Sequence, residues 1–342
     1  MEKVVTNKVD QRAGEEGEIH VLPVAVADKP VLSPRRRMIR IRALLEIMRP
    51  RQWTKNGAVF IGLVFAQRLF NLPSLERAAL AFIIFCFASS GIYILNDLMD
   101  LERDRQHPVK RLRPLPSGRL PASWAIALMA FIFLLCCALS VTLFYLPSPP
   151  DIYAAFGGAS VLFILTVAAY IVINTLYSTR LKHVVLVDVF CIASGFVLRI
   201  LAGAVVIPVV ISPWLYLVTC FLSLFLALSK RRHELVLLQE HAGNHRRILK
   251  EYSIPMLDQM TTIMVAGTLM AYSVYTIEGT TGHGRLIITI PFVLYGIFRY
   301  LYLVYMRMEG GSPDEVLLRD RHMLGTVLLC TVVIIAVLYL FP

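Results

Sequence analysis

The chain has 342 residues, of which 57% are hydrophobic and 17% charged, and its formal net charge at pH 7 is +11. Its mean hydropathy of +0.66 is far above that of a soluble enzyme, and apolar runs of about 18 or more residues recur, as is typical of membrane-spanning helices. These features exclude a soluble enzyme, and they explain the positive charge by loops beside anionic lipid better than by a nucleic-acid partner. The sequence therefore predicts an all-α polytopic membrane protein with one membrane domain and no bound nucleic acid.

The N-terminal residues 1–37 are polar, mixed in charge and without periodicity, and they contain no apolar signal-peptide core. They predict a disordered tail on the cytoplasmic side. The sequence LLEIMRP that follows predicts a helix at the membrane surface, as part of a membrane domain at 38–342. Arginines lead into this sequence: Arg35, Arg36, Arg37, Arg40 and Arg42.

Nine membrane spans are predicted, and the connections between them alternate in charge. The spans are 55–70, 77–97, 121–146, 152–176, 184–208, 211–229, 258–277, 285–305 and 323–341. The first is short. The connections nearly free of Lys and Arg are 71–76, 147–151, 209–210 and 278–284, and those rich in them are 98–120, 177–183, 230–257 and 306–322. The positive-inside rule therefore places the N-terminus and the basic connections in the cytoplasm and the C-terminus outside.

The connection after the second predicted span is dense in charge and reads NDLMDLERDRQHPVKRLRPLPSG over residues 96–118. Asp97, Asp100 and Asp104 would lie along one side of a helix with Asn96 beside them, because residues three or four apart share a face. Clustered carboxylates suit Mg²⁺, and nearby bases suit a phosphate. The alternative is a solvated loop in which acids and bases pair. Six bases lie in or just after this stretch: Arg103, Arg105, Lys110, Arg111, Arg113 and Arg119.

Two charged residues fall inside the fifth predicted span. Asp188 and Arg199 are eleven positions apart, so about three helical turns place them on nearly the same face. An intramembrane charge is costly and usually faces a polar cavity. The two residues therefore predict the wall of a polar site that opens to the cytoplasm. The alternatives are a structural pair, or an arginine that extends to the interface.

Other bases stand at the cytoplasmic ends of the predicted spans. Lys182, Lys230 and Arg231 could reach a phosphate or could anchor a helix at the interface. The six cysteines lie in apolar runs without metal-ligand spacing and predict neither a zinc site nor disulfides. Together these residues predict a membrane enzyme that binds a diphosphate through Mg²⁺ and bases at the cytoplasmic surface, beside an apolar cavity for a lipid.

The stretch NDLMDLERD, at residues 96–104, resembles the first Asp-rich motif of the UbiA-type intramembrane prenyltransferases, NDxxDxxxD. YSTRLK, at 177–182, resembles the Tyr/Lys signature of that family between helices four and five. The resemblance covers about residues 45–342 and implies a nine-helix bundle with a cytoplasm-facing site. Typical members carry a second Asp-rich motif between helices six and seven, and here that connection begins SKRRHEL, at 229–235.

The replacement of acids by bases there is similar to one branch of the family, decaprenyl-phosphate phosphoribosyltransferase. Further stretches that resemble this branch are RPRQWTKN at 49–56, HPVKRLRPLPSG at 107–118, LKHVVLVDVF at 181–190, GFVLR at 195–199 and GGSPDEVLLRDR at 310–321. The resemblance implies transfer of 5-phosphoribosyl from phosphoribosyl pyrophosphate to a polyprenyl (decaprenyl) phosphate in the bacterial plasma membrane, for synthesis of a cell-wall arabinose donor.

The resemblance also implies roles for individual residues. Mg²⁺ held by Asn96, Asp97, Asp100 and Asp104 would neutralise the departing diphosphate. The implied catalytic residues are Asp97, Asp100, Asp104, Lys182 and Asp188. The implied substrate-binding residues are Lys55, Asn96, Lys110, Arg111, Tyr177, Lys182, Arg199, Lys230 and Arg231. The acceptor phosphate is already ionised near pH 7, so no general base is required; Asp188 would hold the ribose hydroxyls or act as a base, and Arg199 would meet the acceptor phosphate.

Two alternatives stay open at this point. One is an ordinary prenyltransferase that joins a prenyl diphosphate to an aromatic acceptor, against which the absence of a second acidic motif counts. The other is a transporter or a non-catalytic lipid-binding protein, which would have no need for Mg²⁺. The oligomeric state is not predicted, and a homo-oligomer is among the states that the sequence allows.

Overall fold

The computed structural model describes residues 34–240, 247–278, 284–311 and 313–340, and these ranges contain helices and no strands. Most of the predicted tail, residues 1–33, lies outside the described residues. The α-helices in chain order are α1 Pro34–Ile47, α2 Ile61–Phe65, α3 Leu72–Met99, α4 Leu101–Gln106, α5 Ala122–Thr142, α6 Ala159–Thr179, α7 Val187–Val206, α8 Pro213–Glu240, α9 Ile254–Glu278, α10 Ile290–Met306, α11 Pro313–Arg319 and α12 Arg321–Leu340. The first of them begins inside the range predicted as a disordered tail.

Eight helical segments among the described residues are long and apolar enough to cross a membrane. They are α3, α5, α6, α7, α8, α9, α12 and α10 together with the 3-10 turn Arg285–Thr289 that precedes it. These segments correspond to the second to ninth predicted spans, so the prediction of an all-α membrane bundle is confirmed. The helix α8 runs on to Glu240 and carries the whole SKRRHEL stretch, of which residues 230–235 had been predicted to lie in a connection.

Local signals fix where the longest helix begins. The side chain of Asn71 accepts a hydrogen bond from the backbone N–H of Ser74 at 3.0 Å, which caps the first turn of α3. A proline occupies the first turn, where its missing N–H costs nothing. The apolar run that follows is long enough to cross the hydrocarbon layer, so the cap sets the starting point of a continuous 28-residue helix.

The first predicted span is a mixed segment rather than one α-helix. An 11-residue 3-10 helix, Pro50–Phe60, leads directly into the five residues of α2. At a rise of about 2.0 Å per 3-10 residue and 1.5 Å per α residue, the segment is roughly 30 Å long, which matches the hydrocarbon thickness. Arg49 at its start contacts Asp97, and Arg68 just after its end donates to the carbonyl of Ile207 at 3.5 Å. The segment therefore runs from one end of the bundle to the other.

Small residues bring this segment very close to α7. A Cβ added to Gly203 would overlap the carbonyl oxygen of Val59 and lie 2.7 Å from its carbonyl carbon. A Cβ on Gly62 would meet backbone atoms of Ala204 at 3.1 Å. The two helices thus touch through their backbones, as small residues allow in membrane bundles.

We expect Gly203→Ala to lower the free energy of unfolding by about 2–3 kcal/mol, because the new methyl group has no space unless the backbones separate. Unfolding in a denaturing detergent would measure the change. Gly325→Ala, in α12, is the matched control, since a Cβ there meets nothing within 4 Å and should leave stability equal or slightly higher. Equal stability of both variants would contradict the close packing.

The helices leave their polar connections at two ends of the bundle. The end at which α3 finishes and α7 begins is called the site end, and the opposite end is called the far end. Arg77 is fully buried at the far end, where it donates to the carbonyl of Val206 at 2.6 Å and to that of Leu143 at 2.9 Å. These carbonyls close α7 and α5, and a cation suits the partial negative charge of helix C-termini. Arg77 therefore ties two helices together at the far end.

Candidate active site

The predicted acid cluster lies where α3 gives way to α4. The helix is interrupted at Asp100, whose φ of −96° and ψ of 9° differ from helical values. The backbone N–H of Asp100 still donates to Asn96 and that of Asp104 still donates to Asp100, at 3.0 and 2.8 Å. The expectation of one continuous helical face is therefore corrected: the three carboxylates lie together across a break, and they meet different bases.

Two of the carboxylates converge on one arginine. Nη1 of Arg113 lies 3.2 Å from Oδ1 of Asp97 and donates to Oδ2 of Asp104 at 2.7 Å. Arg49 also forms an ion pair with Oδ1 of Asp97. Both aspartates are buried, at 2% and 3% exposure. The guanidinium groups supply the counter-charge that buried carboxylates need.

The third carboxylate meets a lysine from another connection. Nζ of Lys182, in the 3-10 turn Leu181–His183, donates to Oδ1 of Asp100 at 2.7 Å, and the lysine is buried. Nζ of Lys110 lies 3.8 Å from Oδ1 of Asp104. The structure thus brings Lys110 and Lys182 to the acid cluster, while Arg111, in the same 3-10 turn as Lys110, is exposed. Their binding of a phosphate stays a prediction.

The acid cluster was also predicted to hold Mg²⁺. Within the described ranges, no three His, Cys, Asp or Glu side chains are grouped closely enough to hold a metal ion as they stand. The donor chemistry nevertheless fits, because carboxylate oxygens are the ligands that Mg²⁺ prefers. Oxygens of Asp97 and Asp104 already lie around one positive charge, that of Arg113. The half-buried Asn96 lies one position before Asp97.

A second polar cluster is centred on Asp188 in the first turn of α7. Nε of Arg231, from α8, lies 2.7 Å from Oδ2 of Asp188, and both side chains are fully buried. Arg231 also donates to the hydroxyl of Tyr177 at 3.0 Å and forms an ion pair with Glu234. Lys230 is half-buried next to it. The predicted residues Tyr177, Asp188 and Arg231 therefore form one network.

Tyr252, just after the 3-10 turn Arg247–Glu251, completes this network. Its hydroxyl donates to Oδ1 of Asp188 at 2.7 Å and accepts from the backbone N–H of Leu186 at 2.7 Å. Burial, and then the hydrogen bond to Asp188, raise the pKa of Tyr252 above its ordinary value. The phenol is therefore protonated at neutral pH and serves as a donor.

Arg199 lies apart from Asp188 and has its own partners. It donates through Nε to Asn56 at 2.7 Å, through Nη2 to the hydroxyl of Tyr170 at 2.9 Å and through Nη1 to the carbonyl of Gly195 at 2.5 Å. The alternative that Asp188 and Arg199 form a structural pair is therefore wrong. Arg199 joins α7 to α6 and to the 3-10 segment, and its contact with an acceptor phosphate stays a prediction.

An apolar cavity of about 480 Å³ lies between the 3-10 segment and the later helices of the bundle. Aromatic and aliphatic side chains dominate its wall, among them Phe65, Phe196, Val218 and Phe292. Lys55 also lines it and donates to Oε1 of Gln52 at 2.5 Å. Along the 3-10 segment, Lys55 is about 12 Å from Arg49 at the acid cluster. One segment therefore serves both the polar site and the apolar cavity.

The late stretch GGSPDEVLLRDR belongs to the same end of the bundle. The backbone N–H of Gly310 donates to Nδ1 of His233, on α8, at 3.3 Å. Pro313 and Leu317 of α11 line the apolar cavity. Beside α11, Arg299 and Asp320 form an ion pair at 2.7 Å, and this hydrogen bond lowers the pKa of Asp320.

Sequence reasoning missed three residues of the site. Arg113 was recognised as one of six neighbouring bases but not as the one that meets the acids, and Arg49 was recognised only as part of a longer stretch. Tyr252 stands in no motif at all. Each contacts its acid across a gap in sequence, so only a folded chain shows the pairing.

A sequence model of the UbiA prenyltransferase family matches residues 57–314. The decaprenyl-phosphate phosphoribosyltransferase of Corynebacterium glutamicum is 31% identical over 306 residues, which cover 87% of each chain. The protein of that name from Mycobacterium tuberculosis is 29% identical over 290 residues, 82% of this chain and 89% of that one. A solved UbiA homologue from Archaeoglobus fulgidus, bound to GPP and Mg²⁺, superimposes with a TM-score of 0.64 at 18% identity, over 86% of this chain and 99% of that one.

Proposed function

Because the chain belongs to the UbiA prenyltransferase family of membrane-bound transferases, we propose that it transfers a 5-phosphoribosyl group from phosphoribosyl pyrophosphate to a polyprenyl phosphate such as decaprenyl phosphate. Diphosphate is released, and the product is a precursor of a cell-wall arabinose donor. The similarity to two proteins named decaprenyl-phosphate phosphoribosyltransferase, over more than 80% of this chain, supports the choice of substrates.

One structural observation carries the proposal furthest. The last turns of α8 stand where typical family members place a second acidic motif, and here they carry Arg231 and Arg232. Each of these arginines is paired, with Asp188 and with Asp258, at 2.7 Å. A single acid cluster, that at the end of α3, therefore remains to bind a metal-bound diphosphate. The bases around this cluster suit the additional 5-phosphate that a phosphoribosyl donor carries.

The acid cluster and its bases would bind the donor. Asn96, Asp97, Asp100 and Asp104 would hold Mg²⁺, which when bound neutralises the charge of the departing diphosphate. Lys182 and Lys110 then hold phosphate oxygens through charge-assisted hydrogen bonds.

In the transfer step, the bond from ribose C1 to the diphosphate oxygen breaks, and a bond from C1 to an oxygen of the lipid phosphate forms. The lipid phosphate attacks in its ionised form, so no protein group has to remove a proton. Asp188 is already engaged by Arg231 and Tyr252. A positioning role therefore suits it better than that of a base.

The apolar cavity would take the first isoprene units of the acceptor lipid, since its wall is apolar and Lys55 lies in it. The basic connections at the site end support a cytoplasmic orientation in the bacterial plasma membrane. In this orientation the site faces the compartment of the water-soluble donor, and the lipid enters from the bilayer.

The test is a comparison of donors with purified protein in detergent and Mg²⁺. Labelled phosphoribosyl pyrophosphate with decaprenyl phosphate should transfer its label to lipid, whereas labelled geranylgeranyl diphosphate with a hydroxybenzoate should not react. EDTA should abolish the transfer, and excess Mg²⁺ should restore it, because the diphosphate then regains its counter-charge. Transfer only in the second reaction would assign the protein to the ordinary prenyltransferases. No transfer of label in either reaction would favour a non-catalytic lipid-binding protein.

A further inference from the structure

A strained turn precedes α7. Leu186 has φ of 65° and ψ of −41°, in the left-handed region that residues with a Cβ rarely occupy. The backbone N–H of Val187 donates to the carbonyl of Val185 at 2.8 Å, which closes a γ-turn around Leu186. This type of γ-turn is rare and strained, and such turns persist only when their surroundings hold them.

The hydroxyl of Tyr252 holds this turn. It accepts from the backbone N–H of Leu186 and donates to Asp188, each at 2.7 Å, so one oxygen fixes both the turn and the first acid of α7. The ring is 5% exposed and packs in a cluster with Val189 and Leu257. The connection between α8 and α9 is thereby joined to the start of α7.

The lysine that meets the acid cluster lies just before this γ-turn, in the 3-10 turn Leu181–His183. Lys182 lies four residues before Leu186, and its ammonium group donates to Asp100 at 2.7 Å. On the other side of Lys182, the hydroxyl of Tyr177 is held by Arg231, which also pairs with Asp188. A shift of the turn would therefore move Lys182 relative to the acid cluster.

We infer that Tyr252 is a positioning residue, whose hydroxyl fixes the turn at Leu186 and thereby places Lys182 on the acid cluster. The packing of Tyr252 and of the 3-10 turn before it against the start of α7 then sets how well the site binds a diphosphate. This inference rests on the proposed function only in that Lys182 serves a diphosphate; the positioning itself is a property of the free protein.

The test compares Tyr252→Phe with Tyr339→Phe in detergent. Tyr339 is the matched control, because its hydroxyl also accepts a backbone N–H, that of Leu69 at 2.9 Å, but at the far end. The first readout is the rate at which an amine-reactive acetylating reagent modifies Lys182, measured by mass spectrometry. Tyr252→Phe should raise this rate about tenfold, since Lys182 is buried and paired in the parent protein. Tyr339→Phe should leave it unchanged.

Binding of inorganic pyrophosphate with Mg²⁺, measured by calorimetry, is the second readout. Tyr252→Phe should weaken it about tenfold and Tyr339→Phe should not. A folded Tyr252→Phe protein with the parent rate of Lys182 acetylation would overturn the inference. If the acetylation rate rises but neither the parent protein nor any variant transfers phosphoribosyl, the positioning role is supported and the proposed substrates are wrong.

A rescue variant tests the turn itself and also covers a Tyr252→Phe protein that does not fold. Glycine adopts positive φ without strain, so Leu186→Gly should make the turn less dependent on Tyr252. The double variant Leu186→Gly/Tyr252→Phe should fold and should return the rate of Lys182 acetylation to within about threefold of the parent rate. A double variant that is unfolded, or as reactive as Tyr252→Phe alone, would show that the turn is not the link.

Discussion

Asp97→Asn should lower transfer activity at least about 100-fold while the protein stays folded. The substitution keeps the size of the side chain and its ability to accept hydrogen bonds from Arg49 and Arg113, but it removes the negative charge. A metal-bound diphosphate needs that charge, and loss of one group that stabilises the departing charge typically costs two to three orders of magnitude. Initial rates with saturating donor and acceptor, in detergent, would measure the effect.

The control for Asp97→Asn lies five residues further along the chain. Glu102, on α4, is exposed and pairs with Arg105 at 2.8 Å on the surface. Glu102→Gln should therefore change activity less than twofold, because exposed ion pairs contribute little. Full activity of Asp97→Asn, or an equal loss in both variants, would show that the buried carboxylate has no special part in transfer.

Arg231→Met should lower the free energy of unfolding by about 3–5 kcal/mol. It removes the charged partner of Asp188, which is 1% exposed, and a buried carboxylate without a counter-charge is strongly destabilising even though Tyr252 still donates to it. Methionine fills a comparable volume, so lost packing contributes little. Unfolding in a denaturing detergent, followed by circular dichroism, would measure the change.

Two further variants separate the charge from the packing. Arg319→Met breaks a surface pair with Glu315, whose side chains are 77% and 52% exposed, and should cost less than about 0.5 kcal/mol. The double variant Asp188→Asn/Arg231→Met should be more stable than Arg231→Met alone, because no buried charge then lacks a partner. If the double variant is less stable than Arg231→Met, the loss comes from packing and not from the unpaired carboxylate.

Hydropathy predicted the positions of eight helical segments because each contains a long apolar run, and the acid cluster was found because its charges are adjacent in sequence. The segment at 50–65 was displaced by about five residues, since 3-10 geometry leaves no trace in an apolar pattern. The helix α8 was predicted to end too early for a different reason. The charged residues near its end are typical of a loop. The sequence does not show that Arg231 is neutralised by Asp188, which is 43 positions away.

The prediction of the site was limited in the same way: groups that are adjacent in sequence were recognised, and groups that meet only in the folded chain were not. Residues close in sequence, such as Asp97 and Asp104, were grouped as the structure has them, whereas among the neighbouring bases Lys110 and Arg111 were named as substrate-binding and Arg113 was not. Arg113 and not Arg111 meets the acids: Arg111 lies within the turn Lys110–Leu112 and is exposed, whereas Arg113 follows the turn in an extended conformation and contacts Asp97 and Asp104. The contribution of Tyr252 depends on its packing against the start of α7, which is a property of tertiary structure alone.

The ion pairs of the acid cluster have a consequence for how the protein matures. Arg49, Arg113 and Lys182 already balance the three carboxylates, so the bundle assembles without waiting for an ion. In small domains that metal ions nucleate, by contrast, loading and folding are one event. Under the proposed function, a divalent ion would therefore enter a bundle that is already folded and exchange with these counter-charges, and the displaced bases would then be available to bind the phosphates of the donor.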